Sequence, residues 1–172
     1  FVIGSDCERC AWGIAFNEAQ RMAVELGQKG LDAARAIAML SYRNYKTYEY
    51  SQVDDINAAD DFSAASYQRY QGEKLRKRFT PNAYYSLSKS MDSNNVGRNR
   101  GSLEKALSKI TAKTLVIGID SDILFPVNEQ QYIAKNVENA VYEQIKSKYG
   151  HDGFLLETDK IKTLLKKYFD FL

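Results

Sequence analysis

The sequence predicts an α/β fold, the edge of an open parallel sheet interrupted by a large helical insertion. Three observations carry this. Thr114 to Gly118 is a short continuous apolar run, the pattern of a strand covered on both faces. An amphipathic helix, an alternating strand and a second amphipathic helix follow it, which is the order of a parallel sheet built by crossovers. Between the apolar start at Phe1–Ile3, itself read as a strand, and that run, the strong patterns are helical.

Each element follows from its spacing. Ile14, Glu18 and Arg21 through Leu26 fit a first helix, and Gln28-Lys29-Gly30 breaks it. A second is predicted over Leu31 to Tyr45, where Ala34, Ile37, Ala38 and Ser41 share a face. Tyr48 to Phe62, with Asp54, Asp55, Asp60 and Asp61, reads as a solvated connection. A third helix is predicted over Ser63 to Arg78 and a fourth over Ala83 to Met91, before Asn94-Asn95 and a stretch with Gly97 and Gly101. Beyond Pro126 come a helix over Asn128 to Val137 and a strand over Val141 to Ile145. Ile161, Leu164, Leu165, Tyr168, Phe169 and Leu172 then form one stripe of a helix over Asp159 to Leu172.

Composition narrows the function classes. The 172 residues carry 24 Lys+Arg against 22 Asp+Glu, a formal +2, so no basic surplus points to nucleic acid or an anionic membrane. No apolar run approaches the ~20 residues that span a bilayer. The start lacks a basic-then-apolar leader, and the protein reads as cytoplasmic. An apolar run cut off at Phe1, without an initiator Met, reads as a fragment of a longer protein. Cys7 and Cys10 have the spacing of a redox pair or half a metal site. A closed zinc site needs about four ligands and no thioredoxin-like pattern surrounds them, so they are expected to be reduced thiols, with no metal.

Chemistry is expected on the loops after the strands, where open α/β sheets hold their ligands. These are Gly118 to Pro126 and Tyr149 to Phe154. The first carries aspartates and the second carries His151, the chain's single histidine, one strand-plus-helix unit later. An aspartate beside that imidazole would fix its tautomer and let it accept and return a proton near neutral pH. Taken without that partner, His151 is a turn histidine between two glycines.

At these residues a resemblance appears. Asp-x-x-x-Pro after one strand and Gly-His after the next resemble the second half of an α/β-hydrolase triad. Ala11-Trp12-Gly13-Ile14-Ala15-Phe16-Asn17-Glu18-Ala19-Gln20-Arg21, Ala34 to Arg43, Met91-Asp92 with Val96 to Gly101, and Gly150-His151-Asp152-Gly153-Phe154 resemble homoserine O-acetyltransferases over nearly the whole chain. The resemblance implies the C-terminal part of an α/β-hydrolase fold with an inserted helical lid. Residues 1–11 would be a core strand and the start of the insertion, 12–95 the lid, and 96–172 the part of the core carrying acid and histidine. It implies Asp122 as the acid and His151 as the base, with Arg78, Tyr84 and Asp152 binding substrate. The implied reaction moves acetyl from acetyl-CoA, a co-substrate, through a serine to the side-chain hydroxyl of L-homoserine, a step toward methionine. No permanently bound cofactor is implied, and a homodimer through the lid is.

The sequence also departs from that pattern. Residues 1 to 172 contain no Gly-x-Ser-x-Gly, so the segment alone is expected to be inactive, and unstable for want of a full sheet. The connector from Arg21 to Leu31 is short for the family, and Asn94 stands where many members have His. Succinyl transfer, or another acyltransferase or esterase chemistry on this scaffold, stays open. So does a non-catalytic helical module whose aromatic residues, among them 12 tyrosines, serve dimerisation or partner binding.

Overall fold

The computed structural model describes residues 1–169. Its sheet is three parallel strands in chain order, β1 (Val2–Ile3), β2 (Thr114–Ile119) and β3 (Ala140–Ile145). Val2 pairs with Val116, and Ile119 with Ile145. The continuous apolar run of β2 has its predicted cause. Val116 faces a core of Cys7, Leu107, Ile133 and Val137, while Leu115, Ile117 and Ile119 face a second with Ile145 and Ile161.

The helical unit leaves the sheet and returns to one place. Arg9 N–H donates to Asn94 C=O and Val96 N–H to Cys7 C=O, closing the base of the insertion. Its helices are α1 (Ala11–Val24), α2 (Gly30–Tyr42), α3 (Tyr45–Ser51), α4 (Ser63–Arg76) and α5 (Pro81–Asp92). The chain then forms α6 (Leu103–Leu107), β2, α7 (Val127–Asn136), β3, a 3-10 turn (Gly150–Asp152), α8 (Gly153–Leu156) and α9 (Thr158–Tyr168).

Small residues bring the insertion helices together. Leu31 and Ala34 of α2 are fully buried with Val24 of α1 and Leu75 of α4. A Cβ on Gly72 would stand 2.8 Å from the Asp32 backbone, and one on Gly30 only 1.9 Å from the Ala23 carbonyl oxygen. Gly30→Ala therefore forces α2 away from α1 and is expected to cost about 1–3 kcal/mol, read as a lower denaturant midpoint. An unchanged midpoint would refute the close approach. Between α1 and α5 lies a buried Arg21, ion-paired to Asp92 at 2.6 Å and to Glu18, and donating to Ser88 Oγ.

Four expectations need correction. The second helix stops at Tyr42, and α3 begins at Tyr45 with Asn44 accepting from Lys46 N–H as its N-cap. The expected solvated connection thus begins inside a helix, because Thr47 is buried and donates its hydroxyl to Lys148 C=O. The third helix ends at Arg76 rather than Arg78. The histidine loop is a 3-10 turn running into the short helix α8, and a further short helix, α6, follows the Gly97/Gly101 stretch. The expected stripe on the last helix is described as far as Phe169; Leu172 lies outside the described residues.

Candidate active site

Three chain segments converge at the carboxyl edge of the sheet. After β2 the chain turns sharply, with Asp122 N–H donating to Ile119 C=O, and the Asp122 side chain folds inward until it is 0 % exposed. Its Oδ1 accepts from the backbone N–H groups of Leu124 (2.8 Å) and Phe125 (2.9 Å). Its Oδ2 is 2.8 Å from His151 Nδ1. A carboxylate can only accept here, so Nδ1 carries the proton and the Nε2 lone pair is free to take another. Asp120, the other acidic candidate on this loop, instead accepts from Ser147 N–H at 2.9 Å, tying together the chain beyond β2 and β3.

His151 sits on the 3-10 turn after β3. The turn is anchored by Gly150 N–H donating to Ser121 Oγ. Gly150 has φ +65°, and a Cβ there would meet Asn44 N at 2.8 Å and Tyr42 O at 2.9 Å, so only glycine fits the histidine turn against the α2–α3 junction. The imidazole is walled by rings, with centroids of Phe125 at 5.0 Å, Phe154 at 5.1 Å and Tyr42 at 5.9 Å. Gly4, just after β1 and with φ +50°, lies directly beside the pair; a Cβ on it would stand 3.4 Å from Asp122 Oδ2. A buried carboxylate, an oriented imidazole and an apolar wall are the parts of a proton shuttle for an alcohol or thiol.

The other expected residues are dispersed. Asp152, next to His151, accepts from Arg43 Nε at 2.9 Å. Tyr84 donates to Gln20 Oε1 in a cavity of about 150 Å³ between α1, α2 and α5, which Tyr42 also lines. Burial raises the hydroxyl pKa of both Tyr84 and Tyr42, so both are neutral donors at physiological pH. Arg78 is exposed just beyond α4, and among the described residues no hydrogen bond or ion pair engages its side chain. Sequence reasoning passed over Arg35. Its guanidinium lies 5.4 Å from the centroid of the Tyr42 ring, the same ring that stands 5.9 Å from the imidazole. Its i, i+7 spacing to Tyr42 on one helix was the available signal. A larger hollow, about 490 Å³ and lined by Lys46, Lys146 and Lys148, lies elsewhere and does not include His151.

Cys7 and Cys10 are free thiols, and burial pushes the Cys7 thiol up to about 11. Among the described residues no cluster of three or more His, Cys, Asp or Glu is placed to hold a metal, and no helix is long and apolar enough to cross a membrane.

No family model matches the chain. A homoserine O-acetyltransferase of Cyclobacterium marinum is 45 % identical over 98 % of the chain, which covers 51 % of that relative. The chain thus spans about half the length of the curated relatives it matches. A solved homoserine O-acetyltransferase structure from Staphylococcus aureus superposes with a TM-score of 0.76 at 28 % identity, over 91 % of this chain and 46 % of the other. Esterase E22 superposes with a TM-score of 0.83 at 16 % identity, over 96 % of this chain and 52 % of the other, a likeness of fold alone.

Proposed function

The chain is a relative of the homoserine O-acetyltransferases, with their α/β-hydrolase fold, and from that premise we propose that it carries the acid, base and lid of an enzyme moving acetyl from acetyl-CoA to L-homoserine. The observation that carries this reading is the 2.8 Å contact between His151 Nδ1 and Asp122 Oδ2 where the segments after the strands converge. The nucleophile is a serine contributed by the part of the relatives' length that this chain does not match.

The chemistry runs in two halves through one imidazole. His151 Nε2 takes the serine proton as the oxygen attacks the thioester carbonyl, and gives it to the departing CoA sulfur, leaving an acetyl-serine. L-Homoserine then enters, Nε2 takes its hydroxyl proton, the new ester forms, and the proton returns to the serine. Asp122 holds the ring and stabilises the imidazolium in both halves. Residues 12–95 act as a lid. Within it Arg35 pairs with the carboxylate of homoserine, a role its approach to Tyr42 supports better than the exposed Arg78. Asp152 faces the ammonium, with Arg43 orienting it, and Tyr84 shapes the adjoining cavity. Met22 on α1, Leu26 just beyond it and Leu40 on α2, all exposed, provide apolar surface for a second copy of the lid. The enzyme works in the cytoplasm, where both thiols stay reduced.

The protein with its whole natural chain, given acetyl-CoA and L-homoserine, is expected to release CoA and O-acetyl-L-homoserine. Without homoserine it should exchange labelled CoA into acetyl-CoA, as an acetyl-enzyme requires. Transfer of acetyl to water alone, or a preference for succinyl-CoA, would overturn the reading. Arg35→Met is expected to raise the KM for homoserine about 10- to 100-fold, the worth of a charge-assisted hydrogen bond, while CoA exchange continues. Equal loss of both would reject Arg35 as the carboxylate partner.

A further inference from the structure

Arg9 is buried far more deeply than a guanidinium ordinarily is. Its side chain is 1 % exposed, and its one ion-pair partner, Asp6, meets only Nη1, at 3.3 Å. Nε and Nη2 have no hydrogen-bond partner. Burying a cation with at least three of its five N–H donors unused is costly, so its place needs another cause.

The packing around the guanidinium supplies one. One face lies on the Phe125 ring, 4.7 Å from its centroid. The group also lies against the first turn of α1, where a Cβ on Gly13 would be 2.3 Å from Arg9 Cζ. The group is thus packed against both α1 and Phe125. Phe125 in turn touches both members of the proton shuttle: its N–H donates to Asp122 Oδ1, and its ring packs on His151. Asp6 fixes one edge of the guanidinium and is itself held by Asn94 Nδ2 at 3.0 Å. A second tie runs alongside, from Trp12 Nε1 to Ile123 C=O at 2.6 Å.

We propose that Arg9 is a positioning residue for the Asp122–His151 pair, acting through Phe125 and coupling the root of the helical insertion to the proton shuttle. This deepens the acyl-transfer reading and rests on it for its kinetic consequences, but its structural consequence can be read without any turnover. The Nδ1 proton shared with Asp122 gives a downfield imidazole resonance, assigned to His151 by its loss in His151→Ala. In the protein with its whole natural chain, Arg9→Met is expected to shift or broaden that resonance. It should lower kcat about 10- to 100-fold, the scale of a small misplacement of a catalytic group, and leave both KM values within about two-fold. Arg9→Lys, which keeps a cation on the ring, should restore most of both.

Phe125→Leu should reproduce the Arg9→Met effect, and the double variant should be no worse than Phe125→Leu alone. An unmoved resonance in folded Arg9→Met, or additive losses in the double variant, would overturn the proposal. If Arg9→Met does not fold, the comparison of Arg9→Lys in the wild-type and Phe125→Leu backgrounds decides it by the same rule. A resonance that moves in a protein without acetyl transfer would leave Arg9's role standing and refute only the reaction.

Discussion

In the protein carrying its whole natural chain, His151→Ala is expected to lower turnover by about 10⁶-fold, with CoA release from acetyl-CoA falling as far as the complete reaction. Both halves pass their proton through the same Nε2, so no half survives its loss. The accompanying change Asp122→Asn is more informative because it leaves the architecture alone. The amide oxygen can keep the bonds from the Leu124 and Phe125 N–H groups, which puts the amide nitrogen where Oδ2 now faces His151 Nδ1. A donor there drives the ring proton to Nε2, and the base loses its lone pair on the reacting side. Turnover is expected to fall by about 10⁴-fold at unchanged stability. Near-normal CoA release in either variant would remove His151 from the mechanism.

The largest stability effect is expected from Arg21→Met. Arg21 reaches Asp92 at 2.6 Å, and Asn17 Nδ2 donates to the other oxygen of the same carboxylate at 2.7 Å. Removing the cation leaves Asp92, at 13 % side-chain exposure, without its charge partner. Breaking one side of a buried pair typically costs about 3–5 kcal/mol, mostly because the surviving charge is stranded. The loss is to be read from denaturant unfolding of the same full-length protein. A change below about 1 kcal/mol would mean that water or a repacked side chain satisfies Asp92. Because α5 also carries Tyr84, which donates to Gln20 of α1, the loosened helix pair should also open the adjoining cavity.

Much of the fold was legible in the sequence because local periodicity reports burial directly. The unbroken Thr114–Gly118 run has cores on both faces, and Ile161, Leu164 and Leu165 pack on one of them. The break between α2 and α3 was not legible. Local pattern carries helix through Tyr45, but the Gly150 turn occupies the space against Tyr42 and Asn44, and Thr47 binds Lys148. Those partners are about a hundred residues away in the chain, so no local window contains them.

The site divides along the same line. Residue type, order and the resemblance determined that an acid and a histidine follow successive strands, because a parallel sheet brings its loops to one edge. Only the tertiary structure decided which groups stand around that pair. Arg35 rather than Arg78 lies over the Tyr42 ring, Asp152 is engaged by Arg43, and Arg9 is pressed against Phe125. Charged side chains carry no periodic mark of their partners. Their roles depend on distances across helices that are set by packing, and packing exists only once the chain has folded.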